Sequence, residues 1–138
     1  MHTPSSGFSS GFSLIELMVV VAIIAVLTTI GVPIYQDYSV KANVIASLAE
    51  ASRYKTAVAL CYIEQGSFTD CDGGSLGVPA AHSRISTVES GKIVLNPEVD
   101  CDQDTTTTNS FTLQPSVSSE GAISWAVTDD ASQCGRYL

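Results

Sequence analysis

Residues 11–38 read GFSLIELMVVVAIIAVLTTIGVPIYQDY, and the order of apolar and polar side chains here decides how the rest of the chain must fold. Glu16 is the only charged residue before Asp37, and the 20 residues from Leu17 to Gln36 carry no charge. A helix of that length is about long enough to cross a hydrocarbon core of roughly 30 Å. A cleavable secretory signal would have a shorter apolar core, with Lys or Arg ahead of it and small residues at a cleavage site behind. Here the preceding MHTPSSGFSSG (1–11) has no Lys or Arg, and the break from small polar to apolar residues falls before the block. The stretch predicts a membrane-spanning helix over residues 12–34, with residues 1–11 unstructured or removable.

Working outward, the pattern turns amphipathic after Tyr35. Val40, Val44, Leu48, Ala51, Val58 and Cys61 recur at three- and four-residue spacing, with Tyr54 nearby and Lys41, Glu50, Arg53 and Lys55 between them. That is a helix with one apolar face. Only Gly31-Val32-Pro33 interrupts its continuity with the membrane block. One long helix from Leu14 to Ile63 is expected, bent or interrupted near Pro33, and about 75 Å long. It ends near Gln65-Gly66, before the turn-forming run Asp70-Cys71-Asp72-Gly73-Gly74-Ser75 and Val78-Pro79.

Strand signals follow. Lys92 to Leu95 is short and apolar, Ser110 to Val117 alternates around Phe111 and Leu113, and Ala122 to Thr128 alternates with Ile123, Trp125 and Val127 on one face. Pro115 points to an edge or a strand end. Ser118 to Gly121 reads as a hairpin turn, Arg84 to Ser90 as a further strand, and Asp100 to Asn109 as a polar loop. The expected fold class is α+β. A long N-terminal helix, membrane-embedded in its first half, packs its second half on a small antiparallel sheet that forms a head over residues 35–138. Neither apolar face could stay dry alone.

The run from Gly11 to Ile24, with Gly31-Val32-Pro33-Ile34-Tyr35-Gln36-Asp37-Tyr38 behind it, closely resembles the N-terminal signature of the type IV pilin family. The resemblance is strong over these residues and extends to the rest in layout only. It implies cleavage of residues 1–11 by a membrane prepilin peptidase between Gly11 and Phe12, with methylation of the new Phe12 amino group. A glycine suits such a cut, since it lets the peptidase approach the backbone closely. Gly7-Phe8 is a second possible pair. Cutting there would leave Glu16 ninth, whereas cutting after Gly11 leaves it fifth, as in the family. The family's leader usually carries Lys or Arg, where this one has only His2.

A carboxylate within an apolar span costs roughly 2.5–3.5 kcal/mol on insertion scales. By resemblance, the partner that relieves Glu16 is the Phe12 amino group of an adjacent subunit. The plainer alternative is a protonated or interface-seeking side chain. Gly31 and Pro33 also follow the family pattern. Pro33 removes one backbone donor and crowds the Thr29 carbonyl, which predicts either a static kink or a segment that unwinds on assembly.

The four cysteines, Cys61, Cys71, Cys101 and Cys134, are an even set in a small acidic head. Two disulfides in an oxidising compartment are expected, because a four-thiolate metal site would show C-x₂-C spacing and none is present. Three pairings are possible. Cys61–Cys71 is favoured because Cys61 sits near the helix end and Cys71 lies ten residues on, within reach through the Gly66 turn. Cys101–Cys134 follows the family habit of closing a C-terminal loop.

The remaining candidates are weak. The net charge of −8, with acids gathered late in the chain, disfavours direct nucleic-acid binding by the head. His82 has no second histidine near it and reads as a surface residue. Asp100, Asp102 and Asp104 alternate, but the glycine and late glutamate of an EF-hand loop are missing. The Thr105–Thr108 run reads as polar loop. No nucleophile motif such as G-x-S-x-G occurs, and neither a cofactor nor an enzymatic activity is expected.

The reading is a structural subunit that polymerises through its N-terminal helix. It would sit in the inner membrane of a Gram-negative-type bacterium before assembly and in an extracellular surface filament afterwards. By resemblance its partners are copies of itself, the prepilin peptidase, an inner-membrane platform with motor ATPases, and an outer-membrane secretin. A pseudopilin of a type II secretion machine and a minor pilin or adhesin share the N-terminus and are the alternatives.

Overall fold

The computed structural model describes residues 11–101, 109–128, 130 and 133–138. The expectations on residues 1–10, Asp102, Asp104 and Thr105 to Thr108 lie outside the described residues. The chain divides into two compact units between Asp37 and Tyr38.

One helix, α1 (Leu14–Gln65, 52 residues), contributes to both units. Its apolar half follows from a run rich in Leu, Ile, Val and Ala in which Glu16, Thr28 and Thr29 are the polar residues before Tyr35. Those hydroxyls are satisfied within the helix: Thr28 Oγ1 donates to the Ile24 and Ala25 carbonyls, and Thr29 Oγ1 to Val26. Such internal bonding suits a segment without water around it. The helical backbone continues through Gly31 and Pro33, without the interruption that was one of the two expectations there. The helix stops at Gly66, which takes the left-handed conformation (φ 72°) and donates to the Tyr62 carbonyl at 2.8 Å. A left-handed glycine is a common helix terminator.

The second unit carries a four-stranded antiparallel sheet in sequential order: β1 (Ile85–Glu89), β2 (Lys92–Leu95), β3 (Phe111–Val117) and β4 (Ile123–Thr128). A short 3-10 turn, Cys134–Tyr137, ends the chain. The core is built from Val44, Ala51, Tyr54, Val58 and Cys61 of α1 against Ile85, Val88, Ile93, Leu95, Phe111 and Leu113 of the sheet. Tyr54 is fully enclosed, and its hydroxyl donates to the Ala80 carbonyl at 2.9 Å, tying the loop after α1 to the helix.

Two local features depart from simple alternation. In β1 both Ile85 and Val88 point inward although they are three residues apart, because the register shifts between Ile85 and Thr87. A bulge of this kind turns the chain by one residue and keeps both apolar side chains dry. In β3, Pro115 lies inside the strand opposite Trp125 and not at its end. It is tolerated because β2 accompanies β3 only as far as Leu113, so no second ladder passes Pro115. On β4, Ile123 and Trp125 are half-buried and Val127 is 39% exposed. The expected inward face is thus only partly covered, as befits an outer strand.

Candidate assembly helix, candidate processing site and disulfides

Every residue from Gly11 to Ser39 is exposed within the chain. Phe12 is 82% exposed, and a side chain built on Gly11 would meet nothing within 4 Å. Among the described residues both sides of the Gly11–Phe12 bond are exposed, ahead of the first helical residue, Leu14. Glu16 lies in the first turn of α1, where a carboxylate complements the partial positive charge of the helix N-terminus. Among the described residues it has no hydrogen bond or ion pair from its own chain. Gly31 is equally open, and Pro33 is an internal helix residue. Helix α1 is long and apolar enough to cross a membrane. Among the described residues none of the side chains of its apolar half is buried.

The four cysteines meet in two pairs. Cys61 at the end of α1 bonds Cys71, with Cα atoms 5.9 Å apart, and Cys101 bonds Cys134 at 5.2 Å. The first bridge closes the Gly66 turn. Its loop is pinned further by two contacts, Gly73 N–H to the Val88 carbonyl at 2.9 Å and Ser90 N–H to Asp72 Oδ1 at 2.7 Å. The second bridge staples the C-terminal turn to the segment before β3. Arg136 reinforces it by donating to the Cys101 carbonyl at 2.6 Å. His82 is exposed, and no group of three metal-ligating side chains forms among the described residues.

Several structural residues carried no sequence signal. Gly91 accommodates Phe68, whose ring would lie 2.9 Å from an added Cβ, and Phe68 stacks on Tyr62 with ring centroids 4.4 Å apart. Lys55 places its amine 5.7 Å from the Trp125 ring centre. Arg84 reaches Asn43 of α1. Apart from the Tyr62–Phe68 stacking, these are contacts between segments far apart in the chain, which periodicity cannot reveal.

Comparison with known proteins matches residues 7–32 to the prokaryotic N-terminal methylation motif and residues 40–134 to the family Pilin (bacterial filament). Prepilin peptidase-dependent protein D of Escherichia coli K12 is 53% identical over 70 residues, a match spanning 51% of this chain and 48% of that relative. The type IV major pilin protein PilE of Neisseria gonorrhoeae is 35% identical over 129 residues, covering 91% of this chain and 74% of PilE. The solution structure of the major type IV pilin PpdD from enterohemorrhagic Escherichia coli superposes with a TM-score of 0.55 at 27% identity, over 74% of this chain and 80% of that one. The two family matches fall on the exposed apolar helix and on the disulfide-bonded head respectively, and together with these relatives they place the chain in the type IV pilin family.

Proposed function

We propose that the protein is a filament subunit with a structural and not a catalytic task. It is held in the inner membrane by residues 12–34 and then assembled with copies of itself into an extracellular fibre. The observation that carries this reading is the wholly uncovered apolar half of α1, broken by the one acid Glu16. Lipid covers that surface before assembly, and the same surface on other copies covers it afterwards. Residues 1–11 are the leader. Cleavage between Gly11 and Phe12, followed by methylation of the Phe12 amino group, creates the amine that Glu16 of a neighbouring subunit needs. Pairing the two removes a buried charge only when the copies are in register. Pro33 and Gly31 supply the place where the helix yields as the subunit leaves the bilayer. The prepilin peptidase, a membrane platform with motor ATPases and an outer-membrane secretin are the machinery this route requires.

The test is to shear surface filaments from cells expressing this chain as the sole pilin, and to determine the subunit's N-terminus and mass. A mature chain beginning with N-methylated Phe12 is expected. A subunit that keeps residues 1–11 and stays monomeric would overturn the reading. The variant Glu16→Ala is expected to insert and mature but to yield no filaments.

A further inference from the structure

An apolar helix can rest at several depths in a bilayer, and the side chains at the two ends of this one select between them. No residue from Leu17 to Gln36 is charged, while Glu16 stands at one end of the run and Asp37 at the other. At the rise of an α-helix that run covers about 30 Å, the thickness of a hydrocarbon core. Tyr35 lies at the Asp37 end and is 76% exposed, and Tyr38 follows one turn later in the sequence. Tyrosine gathers at membrane–water boundaries, where its ring sits among acyl chains and its hydroxyl reaches water.

Sliding the helix so that Glu16 entered the hydrocarbon would strand the exposed Val32 and Ile34 among headgroups and lift the Tyr35 ring out of the boundary. Sliding it the other way would draw Gln36 and the charged Asp37 into the acyl chains, which resist a charge. The register between these puts Thr28 and Thr29 near the bilayer middle, where an unbonded hydroxyl is costly. Both hydroxyls are bonded inside the helix, Thr28 Oγ1 to the Ile24 and Ala25 carbonyls at 3.0 Å and Thr29 Oγ1 to Val26 at 2.7 Å. Helical side chains lean toward the N-terminus, so Glu16 leans toward its nearer headgroups and not into the acyl chains.

We propose that Tyr35 anchors the helix at one membrane boundary and thereby holds Glu16 at headgroup level in the opposite leaflet until assembly. The surface that Tyr35 meets is the lipid boundary itself. This rests on the membrane-anchor reading above and adds the depth at which the anchor sits. Glu16 stays hydrated in the waiting subunit and loses its water when the subunit is drawn into the fibre. The desolvation of the acid then coincides with the arrival of another copy's Phe12 amine, the group that compensates it.

The test reconstitutes the full chain in vesicles of phosphatidylcholine and phosphatidylglycerol. The native cysteines are held in two bridges, so one nitroxide label can be attached through Leu14→Cys or Val20→Cys. Its collisions with dissolved oxygen and with a water-soluble nickel chelate report its depth. Position 14 should lie among the headgroups, open to the chelate. Position 20, one helical turn inside Glu16, should lie among the acyl chains, open to oxygen. Tyr35→Leu removes the polar tip and should let that end sink, moving position 20 toward the headgroups. Tyr35→Trp keeps an amphipathic ring and should leave position 20 where it was. A position 14 as closed to the chelate as position 20, or a Tyr35→Leu chain at the wild-type depth, would overturn the anchor while leaving the membrane reading intact. A wild-type chain stripped from the vesicles by alkaline carbonate would instead defeat that reading itself.

Discussion

Gly91 and Gly121 both take left-handed backbone conformations, at φ 74° and 82°, but only Gly91 is crowded. A Cβ on Gly91 would fall 2.9 Å from the Phe68 ring, whereas one on Gly121 would meet nothing within 4 Å. Gly121→Ala should therefore cost only the backbone penalty, about 1–2 kcal/mol. Gly91→Ala adds the overpacking penalty, about 1–3 kcal/mol. Thermal unfolding of the two variants in detergent separates the terms, and equal losses would show that Phe68 moves aside freely. Lys55 supplies a pH prediction. Burial holds its ammonium below the ordinary lysine pKa. The unfolded chain then binds more protons than the folded one between the lowered value and the ordinary lysine value of about 10.4, so stability rises with pH across that window. Lys55→Met should lose this alkaline gain, so the wild type should improve relative to the variant as pH rises through the window. Parallel curves would contradict the burial argument.

At the scale of elements, α1 joins two kinds of surface on one helical rod. Its head half faces a core, and the side chains of its other half are exposed among the described residues. Pro33 lacks the N–H that would bond the Thr29 carbonyl, so this turn has fewer backbone bonds than its neighbours. Filaments should show faster amide exchange over residues 28–32 than in the turns on either side. Pro33→Ala should abolish that contrast. Uniform protection in the wild type would mean the proline is only a fixed kink. Most strand positions were legible from alternation, since β2, β3 and β4 match the expected segments to within a residue. The bulge in β1 was not, because its cause is the need to bury Ile85 and Val88 against the same core. The exposure of Val127 was also hidden, because alternation specifies a face and not how fully it is covered.

For the molecule as a whole, the two bridges divide the work of holding a small head closed. They span sequence separations of 10 and 33 residues. Loop-closure entropy makes them worth about 2.7 and about 3.7 kcal/mol. Replacing Cys101 and Cys134 by Ser should thus lower the unfolding temperature more than replacing Cys61 and Cys71. The reverse order would show that the Gly66 turn depends on its bridge for more than entropy.

The sequence by itself determined the exposed stem, the isolated Glu16, the Gly11–Phe12 junction and the face of α1 that turns inward. Each is a matter of spacing along a single helix, where residues three or four apart are neighbours whatever else the chain does. Only the tertiary structure decided that Pro115 could lie within β3 and that Tyr54 would hold the Ala80 carbonyl. Those outcomes depend on which distant segments meet, and the closing of the head around a shared core sets that, not any local pattern.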